Sequence, residues 1–95
     1  MDKYTDNSLV EPMDDIILLN DNYKELGLKK GYIGTVVDNY IDTMGVVLVD
    51  FWNPLTNKYI VVQAEINRED FRVPRNTKED RKYLKEFINM FKTEE

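Results

Sequence analysis

The chain has 95 residues, enough for one hydrophobic core and too few for two, with 42% apolar and 33% charged residues in the ordinary globular range. Thirteen Lys and Arg face eighteen Asp and Glu for a net charge of −5, and there is neither cysteine nor histidine. Those absences exclude a disulfide framework, a thiolate zinc site, an imidazole base and any Ser-His or Cys-His pair. The longest apolar run is about four residues against the ~20 of a membrane helix. The start lacks a basic-then-apolar leader pattern, so a cytoplasmic protein is expected.

The net charge is concentrated at one end. Residues 1–26 carry Asp2, Asp6, Glu11, Asp14, Asp15, Asp21 and Glu25 against Lys3 and Lys24, while acids and bases balance in 27–75 and again in 76–95. An acidic end repels phosphate backbones and steers toward basic partners.

Residues 1–13 have neither helical nor strand period and read as a mobile acidic arm containing Ser8, the only serine. The run from Asp15 to Asn20 is a short apolar strand, followed by a polar loop closed by Gly27 and Gly31. From Tyr32 to Ile41 the chain alternates with β-branched residues. Ile33, Thr35, Val37 and Ile41 fall on one side; Tyr32, Gly34, Val36, Asp38 and Tyr40 fall on the other. After a turn at Asp42–Gly45, Val46–Trp52 is a third strand with Val47, Val49 and Phe51 on the dry face and Leu48, Asp50 and Trp52 on the wet one. Asn53–Asn57, with Pro54, supplies a second turn. Lys58–Ile66 returns with Ile60, Val62, Ala64 and Ile66 inward. A helical turn at Asn67–Asp70 precedes a last strand at Phe71–Val73, stopped by Pro74. From Asn76 the period becomes 3.6: Thr77 and Asp80 resemble a capping box, and Tyr83, Leu84, Phe87, Ile88 and Phe91 form one apolar stripe. A helix of this length is marginal alone and must pack on something.

Five strands, two tight hairpins and a helical turn before the last strand fit a mainly β fold, a small five-stranded SH3-like barrel. The expected organisation is a disordered arm over 1–13, the barrel over 14–75 and an added amphipathic helix over 76–95. The run Asp15-Ile-Ile-Leu-Leu, then Gly27-Leu-Lys-Lys-Gly31-Tyr-Ile-Gly34-Thr-Val-Val37, then Val49-Asp-Phe51 resembles an uncharacterised family of short bacterial SH3-like proteins over about residues 14–73. Asp50 stands where that family usually has Glu. The Gly-x-x-Gly-Thr-Val core is also similar to KOW-type barrels of ribosomal and transcription proteins, a resemblance that implies RNA or ribosome association as the alternative function.

Catalytic groups are sparse. Asp14 and Asp15 are neighbours on a strand start and point to opposite faces, the wrong geometry for an acid/base pair. Asp38, Asp42 and Asp50 flank one hairpin, where turn capping accounts for them. Asn20, Asp21 and Asn22 lack calcium-loop spacing, and Gly27, Gly31 and Gly34 lack the spacing of a nucleotide loop. No enzyme activity, cofactor, metal or small-molecule substrate is therefore expected. A basic strip from Lys29, Lys30, Lys58, Arg68, Arg72 and Arg75 beside Tyr32 or Tyr59 would be needed for nucleic acid. A sequence pI of about 4.7 speaks against it.

Large rings on a small β fold point instead to a protein partner. Tyr32, Tyr40, Trp52 and Tyr59 are expected outside with Leu48 among them, partly covered by the terminal helix. The resulting expectation is a non-catalytic interaction module, in its sharper form an acidic inhibitor or immunity protein neutralising a basic partner such as a toxin nuclease. Asp14, Asp15, Asp21 and Glu25 would steer that partner, and Tyr40, Trp52 and Tyr59 would anchor it.

Overall fold

The alternating segments pair into one antiparallel sheet of five strands. They are β1 (Asp15–Leu18), β2 (Ile33–Tyr40), β3 (Val46–Trp52), β4 (Tyr59–Asn67) and β5 (Phe71–Arg72), in the spatial order β4-β3-β2-β1-β5. The computed structural model describes residues 10–74 and 77–93, with helix side chains described from Lys82 to Lys92. Among these residues no ladder joins β4 to β5, so the sheet is open. A short helical turn, α1 (Ile41–Met44), links β2 to β3, and a 17-residue helix, α2 (Thr77–Thr93), follows β5. Short 3₁₀ turns at Lys24–Leu26 and Arg68–Asp70 complete the connections. No helix among the described residues is long and apolar enough to cross a membrane.

The core is built on the inward positions of β3. Val47, Val49 and Phe51 are fully buried, while Leu48, Asp50 and Trp52 alternate with them at intermediate exposure, as the pattern of this strand dictates. Ile16, Leu18, Leu28, Val36, Ile66 and Phe71 close around them from the other strands and the β1–β2 loop. Gly45 ends α1 in the left-handed region (φ 71°) and its N–H bonds back to the Ile41 carbonyl, so the expected turn is a one-turn helix with a glycine stop.

Irregularities in the ladders move side chains from one face to the other. In β2 the register slips between Val36 and Asp38, leaving Val37 as a bulge with its side chain out. Tyr32, Gly34 and Val36 are consequently inward before the bulge, and Tyr40 is outward after it. The expectation for Tyr32 is thus reversed: only 3% exposed, it belongs to the core. In β4, Val49 pairs with Ala64 but Phe51 pairs with Val61, two steps on one strand against three on the other. Gln63 takes the left-handed conformation there (φ 52°), and its N–H donates to Asp50 Oδ1 at 2.8 Å. Ala64 and Ile66 stay inward as expected, whereas Val62 is 55% exposed.

α2 also docks differently from the expectation that it would cover Leu48 and Trp52. Phe87 and Phe91 lie against the Tyr32 ring, with centroids 5.6 and 5.0 Å away, and against each other at 5.3 Å. The inward turn of Tyr32 offers the apolar stripe an aromatic seat, and Leu84, on the margin of the stripe, remains 48% exposed.

At the N-terminal side the packed unit already includes Val10, 3% exposed, whose carbonyl accepts a bond from the Asn39 side chain at 2.6 Å. Met13 N–H donates to the Val36 carbonyl at 2.8 Å. The arm expected over 1–13 otherwise falls on residues 1–9, outside the described residues, as do Arg75 and the side chains of the Thr77–Asp80 capping box.

Candidate functional site

Strand alternation places carboxylates on the outward side of the sheet in two cross-strand rows. Asp15 pairs with Thr35, which pairs with Asp50, and the Thr35 hydroxyl donates to Asp15 Oδ1 at 3.0 Å. In the second row Asp38 pairs with Leu48, and Leu48 with Glu65. Within β1 to β4 there is no Lys or Arg. Four carboxylates therefore share this face with Leu48 and Trp52, and these four strands carry no cation of their own.

The expected anchors divide between the two ends of the face. Trp52 and Tyr59 pair across β3 and β4, their rings edge to face at 6.4 Å, and Tyr59 is 64% exposed. Tyr40 pairs with Val46 at the other end of β3, roughly 20 Å away at ~3.3 Å per residue. Its hydroxyl donates to Asp38 Oδ2 at 2.8 Å. That bond, ahead of the charge of Asp38 itself, raises the Tyr40 phenol above its ordinary range.

The expected steering acids are likewise separated. Asp15 lies on the outward face. The Asp14 carboxylate accepts the Glu11 N–H at 2.9 Å and so closes the turn before β1. Asp21 accepts the Lys30 N–H at 2.7 Å and staples the β1–β2 loop. Glu25 is exposed in the 3₁₀ turn. Asp38, Asp50 and Glu65 take their place on the face; the period of two that put Leu48 and Trp52 on the wet side signals Asp50 and Glu65, whereas Asp38 is turned outward by the bulge at Val37.

A second polar constellation ties the loop to the corner between β4 and β5. Asp70 accepts bonds from Tyr23 Oη at 2.7 Å, Asn20 Nδ2 at 2.9 Å and Asn22 Nδ2 at 3.4 Å. Tyr23 Oη in turn accepts the Asn67 N–H at 2.9 Å. Burial by itself would raise the Asp70 carboxyl, but the bonds donated by Tyr23, Asn20, Asn67 and Asn22 together outweigh it and hold the group below its usual value. Tyr23 is shifted up, first by burial and then by the carboxylate beside it, against the opposing bond from Asn67. Asn20 and Asn22 thus serve a carboxylate fifty and forty-eight residues away.

No family model matches the chain, and no curated protein or solved structure matches it either.

Proposed function

We propose that this protein is a non-catalytic interaction module whose outward face on β1 to β4 binds a basic protein surface. The observation that carries the reading is the two cross-strand rows, in which Asp15, Asp38, Asp50 and Glu65 surround Leu48 and Trp52 on strands without a cation. Unneutralised carboxylates on one face focus potential toward a cationic partner, and half-buried Leu48 and Trp52 supply contacts that exclude water. In the sharper form of the proposal the protein is an inhibitor or immunity protein in the cytoplasm, and the partner is a basic enzyme such as a toxin nuclease. Because the same face would repel a phosphate backbone, the KOW-like RNA-binding alternative draws no support from it.

The fold we propose for the module is an SH3-like barrel. Three features favour it: the strand order, the 3₁₀ turn before β5, and the Tyr23–Asp70–Asn67 tie that draws the β1–β2 loop toward β4. The resemblance of residues 14–73 to short bacterial SH3-like proteins points the same way.

The test is co-purification from the native host with the intact chain, its Glu65→Lys variant and its Glu25→Lys variant. A basic partner retained by the intact chain and by Glu25→Lys, but lost with Glu65→Lys, is the expected result. Retention by all three would refute the assignment of the face. Salt-sensitive micromolar binding to mixed RNA would put the KOW-like reading in its place.

A further inference from the structure

Beyond the Asp15 end of the acidic face, a cleft of about 500 Å³ opens between α2 and the β1–β5 edge. This volume falls within the ~300–1,000 Å³ typical of small-ligand sites. Its apolar lining includes Ile17, Leu19 and the thioether of Met90. Among the described residues its charged lining is Lys30, Arg72 and Glu86, two cations against one carboxylate, in a chain whose net charge is −5. The sign of the charge is therefore inverted locally.

Arg72 is positioned by packing. Its guanidinium carbon lies 4.6 Å from the centroid of the Tyr83 ring, a cation–π contact that holds the planar group while leaving its N–H edges available to an acceptor. Among the described residues neither Lys30 nor Arg72 closes an ion pair. Ile17, although it projects away from the main core cluster, is only 5% exposed. The cleft thus combines an apolar wall, a flexible sulfur side chain able to adapt to a guest, and an anchored guanidinium with a free hydrogen-bonding edge.

We propose that this cleft is a binding site for a small amphiphilic carboxylate. The head group would bond to Arg72 and, through charge, to Lys30, while the hydrocarbon body would lie on Ile17, Leu19 and Met90. Glu86 limits the affinity by repelling the same head group. The site adjoins the acidic face at Asp15 but is lined by other residues, and it does not depend on the protein-binding reading.

Titration calorimetry and amide NMR on the full chain, with octanoate as the probe and octylammonium and acetate as controls, test the assignment. Octanoate should bind in preference to both controls and shift the amides of Leu19, Gly31 and Arg72. Arg72→Gln should weaken octanoate by about fivefold, and Glu86→Gln should tighten it by about twofold, in line with partly exposed charge pairs. Lys30 and Glu86 are exposed, so Lys30→Gln and Glu86→Gln keep the test valid if Arg72→Gln does not fold. No octanoate binding at millimolar concentration, equal binding of octylammonium, or an affinity indifferent to all three substitutions would overturn the proposal.

Discussion

Replacing Gly34 by alanine adds one methyl group at a crowded point of the sheet. A Cβ on Gly34 would lie 2.6 Å from Val49 Cγ1, 2.7 Å from Phe51 Cε1 and 2.8 Å from Phe51 Cδ1. Ordinary carbon contacts are ~3.5–4.0 Å, so the neighbours would have to retreat by roughly 1 Å. Neither is free to do so, because Val49 and Phe51 are both fully buried on β3, which is paired on both sides. Gly34 is itself paired with Ile16 on one side and Phe51 on the other, which prevents β2 from moving as a whole. Overpacking of this kind costs about 1–3 kcal/mol. At about 4–8 °C per kcal/mol for a small domain, Tm should fall by roughly 5–20 °C. Thermal unfolding followed by circular dichroism gives the shift, and urea unfolding should place the loss in the midpoint with m unchanged. Phe51→Leu, destabilising alone, should be less so in the Gly34→Ala background, with a coupling of at least ~1 kcal/mol between the sites. A Tm change below about 2 °C, or strictly additive double-mutant behaviour, would refute the steric argument.

Four other outcomes follow from the geometry. Asp70→Asn should cost about 1–2 kcal/mol at neutral pH by removing charged acceptors for Tyr23 and Asn20. Because the folded-state carboxyl lies below its ordinary value of 3.8, that contribution is full above this value and disappears as pH falls through the lower folded value. Wild type and variant should therefore converge in acid urea titrations, and a gap constant with pH would contradict the network. For Tyr23 the sign is opposite: a phenol raised above 10.0 keeps its contribution below that pH and loses it as pH rises through the folded value, an alkaline loss that Tyr23→Phe should abolish. Truncation after Pro74 should uncover Tyr32 and lower stability, with Phe87→Ala alone costing about 3 kcal/mol, while Trp52 emission stays unshifted because the helix seats on Tyr32. A red shift of Trp52 in the truncated chain would place the helix elsewhere. Gln63→Gly should raise stability by about 1 kcal/mol in urea unfolding, since it relieves a left-handed non-glycine residue while keeping the N–H that bonds to Asp50.

β3 was legible in full, boundaries and faces alike, because its own residues alternate without a break between Gly45 and Asn53, the extra residues lying in the strands on either side of it. β2 was legible as a strand but not in its orientation. A period of two separates the faces without saying which is inside, and Tyr32, with a ring that suits either environment, was assigned outward. The bulge at Val37 then changes the parity within the strand, and the one at Gln63 does so in β4, which is how Val62 comes to be exposed. Such slips depend on cross-strand register and leave little trace in a single strand's pattern. Among the candidate site residues, Trp52 and Tyr59 do meet, and Asp15 lies on the face. Asp14 and Asp21 are occupied locally with turn and loop N–H groups, a role their sequence neighbours suggest only after the turn is known. The Asp70 network could not have been read at all, for its partners Asn20, Asn22 and Tyr23 are 47 to 50 residues away.

β4 slips against β3 twice, between Val49 and Phe51 and again between Phe51 and Trp52, with a consequence for self-association. As an outer strand nine residues long, bearing exposed Tyr59 and Val62, β4 has the composition of a template for intermolecular strand pairing. The extra residues opposite β3 break its run of evenly spaced amide donors and carbonyl acceptors, and Gln63 turns its own N–H back toward Asp50. A second chain laid along this edge would find one donor already engaged and the remainder out of step. The side chain of Glu65 adds like-charge repulsion between copies. The edge can thus display apolar side chains to a partner without offering its backbone to another molecule of the same kind.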